Sequence, residues 1–242
     1  NRIIRGNAGL AVDGTSASGA DATRWGFFPS AGVTVMLANT GKLPQWVNQL
    51  NLTAEGSLSG NSRFSSNYGK NYYTGSNFFN IGSINRSNVP NTELQWEKKT
   101  QLDLGIEASL FGNRVDVAVN YFTNHAYDLL LNSSVSSVYG SYNYYENCGV
   151  INTNGVEAAL RVNALHTKDW DVNIGANIAT AKSTVKELGG VQSLTIDYTG
   201  FNNDDAQMIM AVGSSPYEFY GYKTKGIFTT TAEAEAAGLK NS

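Results

Sequence analysis

The strongest constraint on the fold is a regular alternation of apolar and polar residues that recurs along the chain. From 102 to 110 the even positions are Leu, Leu, Ile, Ala and Leu, and the odd positions from 101 to 109 are Gln, Asp, Gly, Glu and Ser. A period of two is the signature of a β-strand with one apolar face. The pattern predicts about seven antiparallel strands. They lie at approximately 4–12, 25–37, 47–58, 98–110, 115–124, 154–164 and 170–181.

The connections between these strands alternate in length. Residues 39–46, 111–114 and 165–169 are short connections, whereas the loops at 14–24, 60–93, 132–149 and 182–242 are longer. The strands are close to the length of about 9–11 residues that a tilted strand needs to cross a bilayer. Short turns at one end and long loops at the other are typical of a transmembrane β-barrel. We therefore predict an all-β, antiparallel, up-and-down barrel segment with long extracellular loops.

A barrel assigns the two sets of alternating residues to different environments. Lipid offers no hydrogen-bonding partners to the backbone, so a spanning sheet must close on itself, with its apolar side chains facing lipid. The predicted inward-facing charges are Glu55, Asp103, Glu107, Asp116, Glu157, Arg161 and Asp171. Aromatic residues near strand ends are predicted to form interfacial girdles. These are Trp25, Phe27, Trp46, Trp96, Tyr121 and Trp170.

Composition excludes several other classes of protein. The 242 residues carry a net charge of −3, which lacks the basic excess of a nucleic-acid-binding protein. No run of about 20 apolar residues is present, as a transmembrane helix would need. A single cysteine, Cys148, cannot form a disulfide framework. A secreted β-sandwich that binds glycans or acts as an adhesin remains an alternative, because it would also alternate apolar and polar residues, with the apolar set buried.

Six short segments resemble, in order, motifs of the SusC/RagA family of TonB-linked outer-membrane transporters. They are RWGFFPS at 24–30, WVNQLNL at 46–52 with SGN at 59–61, NVPNTELQWE at 88–97, LFGNR at 110–114 with VNYF at 119–122, NCGVINTNGVE at 147–157, and FYGYKTKGIF at 219–228. The resemblance implies a 22-stranded barrel of which residues 1–242 are an internal section. The plug domain and the TonB-contacting segment of that family are absent from these residues.

The same resemblance implies a function, a location and partners. The family imports glycan or peptide oligomers across the outer membrane of Gram-negative, Bacteroidetes-like bacteria, with energy supplied through the TonB system. Its partners would be a SusD-like surface lipoprotein, outer-membrane lipid and the oligosaccharide or peptide ligand, with no nucleic acid. These are the expectations for the whole protein, of which this chain supplies barrel wall and outer loops.

The candidate ligand-binding residues are aromatic side chains in two of the long loops. Tyrosine combines a flat apolar face with a hydroxyl, which suits stacking on a sugar ring or a peptide. Neighbouring asparagines, among them Asn147, offer donors and acceptors. The alternative is that these aromatics pack the loops together or contact a partner. The candidates are Tyr68, Tyr72, Tyr73, Phe78, Phe79, Tyr139, Tyr142, Tyr144 and Tyr145.

Catalytic and metal sites find little support in the sequence. A hydrolase needs a nucleophile beside a base, or paired acids in a pocket. The two histidines, His125 and His166, lie on different connections, and Cys148 lacks neighbouring metal ligands. Asp103, Glu107 and Asp116 share one face and are interpreted as polar barrel wall. We predict no enzymatic activity, no cofactor and no metal.

Overall fold

A seven-stranded antiparallel sheet forms the main body of the protein. The computed structural model describes residues 2–79, 81–133, 135, 138, 144–197, 207–221, 223 and 226–237. The strands of this sheet pair in the order in which they follow one another along the chain, except that a separate hairpin is inserted between the third and the fourth. They are β1 (Ile4–Gly14), β2 (Trp25–Met36), β3 (Val47–Asn61), β6 (Glu97–Leu110), β7 (Val115–Ser133), β8 (Tyr144–His166) and β9 (Asp171–Leu188). The predicted all-β fold is confirmed.

The remaining elements are small and lie in the long connections. Strands β4 (Tyr73–Phe78) and β5 (Ile81–Arg86) form a hairpin between β3 and β6. Strands β10 (Ser193–Asp197), β11 (Gln207–Ala211) and β12 (Glu218–Tyr220) form a three-stranded antiparallel sheet. Short 3-10 helices occupy Leu37–Thr40 and Ser66–Gly69, and α1 spans Thr231–Ala236. No helix in the described part of the chain is long and apolar enough to cross a membrane.

Among the connections between the seven strands, the longest, residues 62–96, leaves the sheet at the end that we call the loop end. The segments 15–24, 62–96 and 134–143 join strands at this loop end, and β9 also finishes there. The segments 37–46, 111–114 and 167–170 join strands at the opposite, turn end. At the turn end, Trp46 stacks on Phe111 with ring centroids 5.6 Å apart. Asn48 Oδ1 accepts hydrogen bonds from the backbone N–H groups of Gly112 and Asn113, which both have positive φ.

The strand register sorts the side chains into an apolar face and a polar face. One rung pairs Leu52 with Ile106, Ile106 with Val119 and Val119 with Ala158. Since successive residues point to opposite faces, the next rung carries Asn51, Glu107 and Ala118 on the other side. The predicted inward-facing charges therefore share the polar face, with Asp116 directly opposite Arg161 in the register.

The apolar face is uncovered. Ile106 is 50% exposed and Ile178 is 71% exposed, although both lie within the sheet. Neither of the small sheets pairs with the seven-stranded sheet. The sandwich alternative requires a second layer over the apolar face, and the described residues provide none.

Buried side chains instead occur at the loop end. We call this region the loop layer: residues 15–24, 62–79 and 81–96, the loop ends of β7, β8 and β9, and residues 189–197 and 207–220. Val185, Leu188 and Met210 form one cluster, against which Leu131, Ile151, Leu194 and Ile196 pack. The other buried side chains of the described residues are Asn88, Leu94 and Trp96.

The structure corrects several predicted boundaries. Strand β7 ends at Ser133 and β8 begins at Tyr144, so the predicted loop 132–149 is too long. A β-bulge at 126–130 interrupts the ladder between them, which explains why the alternation fades there. Strand β9 continues to Leu188, and the loops predicted at 60–93 and 182–242 contain hairpin, sheet and helix. Trp96, predicted as a girdle residue, is only 7% exposed within the loop layer.

Candidate functional site: aromatic residues of the loop layer

The two tyrosine-rich stretches meet in the structure. The rings of Tyr68 and Tyr145 stack with centroids 3.7 Å apart and planes 13° from parallel. Asn91 connects the same pair, because its backbone N–H donates to Tyr68 O and its Nδ2 donates to Tyr145 O. Burial, with the hydrogen bond to Tyr68, raises the pKa of Tyr145. The ring faces in this stack contact each other and are closed to a ligand.

Tyr144 is also partly buried. It makes a parallel β-bridge with Val89, which brings the 62–96 connection against the start of β8. Burial raises the pKa of its hydroxyl, and the nearby carboxylates of Glu146 and Glu93 act in the same direction. Tyr144 therefore stays neutral and packs within the loop layer.

Among the described tyrosines of this group, Tyr72 and Tyr73 are exposed to solvent. They are 47% and 56% exposed, at the base of the β4–β5 hairpin. The base is fixed, since Tyr72 N–H donates to Asn88 Oδ1 and Tyr72 O accepts from Ser87 N–H, both at 2.8 Å. Two exposed aromatic rings next to a fixed base offer flat apolar surfaces on which a ligand can stack.

The two faces of the hairpin differ in chemistry. One face carries a hydroxyl ladder, in which Thr74 bonds Ser87 at 2.8 Å and Ser76 bonds Ser83 at 2.6 Å. The other face carries Tyr73 and Ile84, the latter 76% exposed. Gly75 and Gly82 on the Tyr73 face leave open space where other residues have side chains. This face is shallow, open and partly apolar.

The remaining candidates are spread along the loops. Phe79 lies in the hairpin turn with φ of 48° and is 86% exposed. Phe78 belongs to β4, and its side chain lies outside the described part of the chain. Tyr139 and Tyr142 are outside the described residues altogether.

Asparagine side chains hold the loop layer together. Buried Asn88 donates from Nδ2 to Asn67 O and Lys70 O, each at 2.9 Å. Asn147 accepts from Gln95 N–H at 2.9 Å and donates to Gln95 O and Asp128 O at 2.9 and 2.8 Å. Asn147, expected to serve a ligand, therefore has both side-chain polar atoms engaged within the protein. Sequence reasoning missed Asn88 and Asn91, whose only signal was the motif at 88–97.

Asp128, Lys98 and Glu97, at the edge of the loop layer, have local hydrogen-bonding partners. Asp128, at the β-bulge with φ of 55°, binds Lys98 Nζ at 2.9 Å. Glu97 accepts from Asn61 Nδ2 at 2.6 Å and from Leu130 N–H at 2.9 Å. On the polar face, Gln101 Nε2 donates to Asp103 and Ser109 Oγ donates to Asp116. These contacts are those of a polar wall.

The histidines and the cysteine are separated from one another. His125 lies in β7 and bonds Asn152 at 2.6 Å, whereas His166 ends β8 and bonds Asp171 at 3.2 Å. Burial, reinforced by the Glu146 carboxylate, raises the pKa of the Cys148 thiol to about 11, so the thiol is protonated and unreactive at neutral pH. Among the described residues, no group of three or more His, Cys, Asp or Glu side chains could hold a metal ion.

Comparison with known proteins gives consistent matches along the chain. The family model described as TonB dependent receptor-like, beta-barrel, matches residues 4–231. TonB-dependent receptor P26 of Formosa agariphila is 26% identical over 240 residues, which cover 95% of this chain and 24% of that protein. TonB-dependent receptor P39 of the same organism is 27% identical over 224 residues, covering 91% of this chain and 21% of that protein.

Solved structures share the fold. The RagAB peptide transporter superposes with a TM-score of 0.77 at 24% identity, covering 90% of this chain and 24% of that one. The RagAB peptide importer in its 'open-open' state gives a TM-score of 0.78 at 24% identity, with 90% and 23% covered. The chain thus spans about a quarter of the length of the relatives that it matches. At this identity the structural likeness shows the fold.

Proposed function

This chain belongs to the TonB dependent receptor-like β-barrel family, and from that membership we propose that it forms part of the wall and outer loops of an outer-membrane transporter. The transporter imports oligomers of sugars or amino acids. This section of the barrel separates lipid from the transport route and presents loop residues to the incoming ligand.

The observation that carries the proposal is the uncovered apolar face of a sheet whose longest connection, residues 62–96, lies at the loop end. In water, an exposed apolar face of this size would drive aggregation, whereas in a bilayer it is solvated by lipid. The free edges of β1 and β9 call for further strands, because an unpaired edge is not tolerated in lipid. A 22-stranded barrel would supply them from the rest of the protein.

The exposed aromatic surface supports an uncharged oligomeric ligand. Tyr72, Tyr73 and Phe79 present rings that can stack on sugars or on peptide side chains, and the hairpin hydroxyls can bond polar groups. Both chemistries fit, and the relatives with solved structures are named as peptide transporters. A SusD-like surface lipoprotein would close over the loops, and the TonB system would energise release through a plug that lies outside this chain.

Sidedness of labelling tests the proposed location. A cysteine replacing Ser76 in the hairpin should react with a membrane-impermeant maleimide in intact cells, in a Cys148→Ser background. A cysteine replacing Lys168 in the turn 167–170 should react only after the outer membrane is permeabilised. Reaction of both cysteines in intact cells would contradict the proposal, as would recovery of the protein in the soluble fraction.

Ligand contact is tested separately by binding to panels of neutral oligosaccharides and oligopeptides. Tyr72→Ala with Tyr73→Ala should weaken binding by about tenfold or more, since stacked aromatic contacts contribute about 1 kcal/mol each. Tyr217→Ala is the matched control, because Tyr217 is similarly exposed at 59% but lies next to β12. Unchanged binding in the double variant would reassign these tyrosines to a partner interface.

A further inference from the structure

The seven-stranded sheet forks at its loop end between β2 and β3. The ladder between these strands ends at the pair Ser30–Ser57. Beyond that pair, residues 25–29 of β2 remain paired with β1, and residues 58–61 of β3 remain paired with β6. The backbones of the two prongs are therefore no longer paired with each other, although each prong stays paired with its outer neighbour, and this leaves a gap in the hydrogen-bonded wall.

Two aromatic side chains fill this gap. Phe28 lies on the β2 prong and meets Trp96 edge to face, with ring centroids 5.3 Å apart. Gly26 lies on one prong and Gly60 on the other. A Cβ atom at either glycine would fall within 2.4 Å of the Phe28 ring and about 3.3 Å or less from Trp96. The pair thus touches both prongs, and the glycines make the room that it occupies.

Trp96 is held in place by the segment that precedes it. On one side, Gly19 N–H donates to Leu94 O and Asp21 N–H donates to Thr92 O, both at 2.9 Å. On the other side, Asn147 pairs with the backbone of Gln95. Residues 88–96, which we call the strap, are therefore fastened to the β1–β2 connection and to the loop end of β8.

The strap contrasts with the hairpin that precedes it. Strands β4 and β5 pair only with each other, and Asn88 fixes their base. Leu94 of the strap is 0% exposed, whereas Phe79 at the hairpin turn is 86% exposed. The strap is the fixed part of the 62–96 connection, and the hairpin is the part free to respond to a ligand or partner.

We propose that Phe28 and Trp96 form a seal that closes a lateral opening in the wall between β2 and β3, and that the strap holds this seal shut. Trp96 is a positioning residue in this arrangement. Closure forces a ligand held by the hairpin to enter over the rim instead of through the side of the wall. The seal works by packing, because Trp96 Nε1 has no hydrogen-bond partner among the described residues.

The test uses the full-length protein in detergent, so that its outcome does not depend on the proposed transport. A cysteine replacing half-buried Ser57 at the base of the fork, in a Cys148→Ser background, reports opening through its rate of reaction with a bulky maleimide. Trp96→Ala should raise this rate by about tenfold or more, as truncation of a buried aromatic shifts a local opening equilibrium. Hydrogen exchange at the amides of Gly19 and Asp21 should accelerate with it.

Two variants separate the seal from a general loss of structure. Trp96→Phe keeps one aromatic ring and loses the second fused ring with its unpaired N–H, so it should restore slow labelling to within a few fold of the parent. Trp25→Ala removes a ring on the same β2 prong that packs over Gly14 of β1, on the side of the prong away from β3, and should leave the labelling unchanged.

The maleimide labelling rates of these variants support or contradict the seal. Unchanged maleimide labelling in Trp96→Ala would overturn the seal, even if hydrogen exchange accelerated. Equal acceleration by Trp96→Phe or by Trp25→Ala would also overturn it, because the effect would then not depend on a ring in the fork. If Trp96→Ala does not fold, Phe28→Leu carries the same test, with rapid labelling expected and slow labelling contradicting the seal.

Discussion

The sheet and the loop layer of this protein differ in where their apolar side chains lie: exposed in the sheet and buried in the loop layer. In the sheet, residues such as Ile106 and Ile178 are apolar and exposed, and the strands are joined mainly by backbone hydrogen bonds. In the loop layer, Leu94 and Val185 are completely buried, and asparagine side chains pair with backbone groups. In the proposed barrel, lipid covers the apolar face of the sheet, whereas the loop layer buries a core of its own.

The largest effect should come from placing a charge on the apolar face. Leu104→Arg should cost about 2–4 kcal/mol, the penalty for a cation near the middle of a bilayer. Asn120→Arg is the control, because Asn120 lies nearby on the polar face, opposite Glu157 in the register. Unfolding of the full-length protein in lipid vesicles with urea measures both. Equal costs would mean that the two faces do not differ in environment.

An enlarged apolar side chain should destabilise the loop layer more than the sheet, whereas a charge destabilises the sheet. Leu94→Trp overpacks a fully enclosed site and should cost about 1–3 kcal/mol in the loop layer. In the proposed barrel Leu104→Trp would extend into lipid, since Leu104 is 44% exposed, and the larger side chain should be tolerated. Hydrogen exchange at the amides of Gly19 and Asp21 reports the loop layer directly. If Leu104→Trp disrupts folding as much as Leu94→Trp, then Leu104 is covered by protein.

The two regions also differ in how well sequence predicts them. The sheet follows from a period of two, because one environment acts on every second residue from 102 to 110. The core of the loop layer has no period, since Leu94 and Trp96 are single apolar residues in a polar stretch. Their contacts are remote in sequence, as with Gln95 and Asn147, which are 52 positions apart. Such pairing depends on the fold as a whole.

The candidate site also contains features that sequence predicts and features that it does not. Exposure of Tyr72 and Tyr73 agrees with what tyrosine in a polar loop predicts, and their role in binding stays a prediction. The stack of Tyr68 on Tyr145 could not be foreseen, because Tyr68 precedes β6 and Tyr145 follows β7 at the start of β8. The extension of β8 back to Tyr144 was hidden by the β-bulge at 126–130, which breaks the alternation.

Removal of one partly buried amide should weaken the loop layer by less than overpacking its core. Asn147→Ala leaves the N–H and C=O of Gln95 and the C=O of Asp128 without their partner, at a cost of about 1–3 kcal/mol if water does not enter. Asn152→Ala is the control, since Asn152 makes one side-chain hydrogen bond, to His125. Faster exchange of the Gln95 amide in Asn147→Ala alone is expected. No change at Gln95 would show that Asn147 is dispensable to the strap.

The smallest effect should come from a polar contact that lies in water. Glu233, in the first turn of α1, accepts hydrogen bonds from Thr229, which precedes the helix. The donors are Thr229 N–H at 3.0 Å and Thr229 Oγ1 at 2.9 Å. These bonds lower the pKa of the Glu233 carboxyl below its usual value. A carboxyl whose pKa is lower in the folded state stabilises that state above its unfolded pKa. The stabilisation is lost as pH falls through the folded pKa.

The start of α1 should therefore loosen in acid while the strap does not, because the asparagines of the strap do not titrate. The amide resonances of Ala234 and Ala237, whose N–H groups donate to Thr230 O and Glu233 O, measure this by NMR between acidic and neutral pH. Glu233→Gln should remove the pH dependence and should cost less than Asn147→Ala, because solvent replaces an exposed hydrogen bond and cannot readily replace a buried one. A larger cost for Glu233→Gln would show that α1 is covered by another part of the protein.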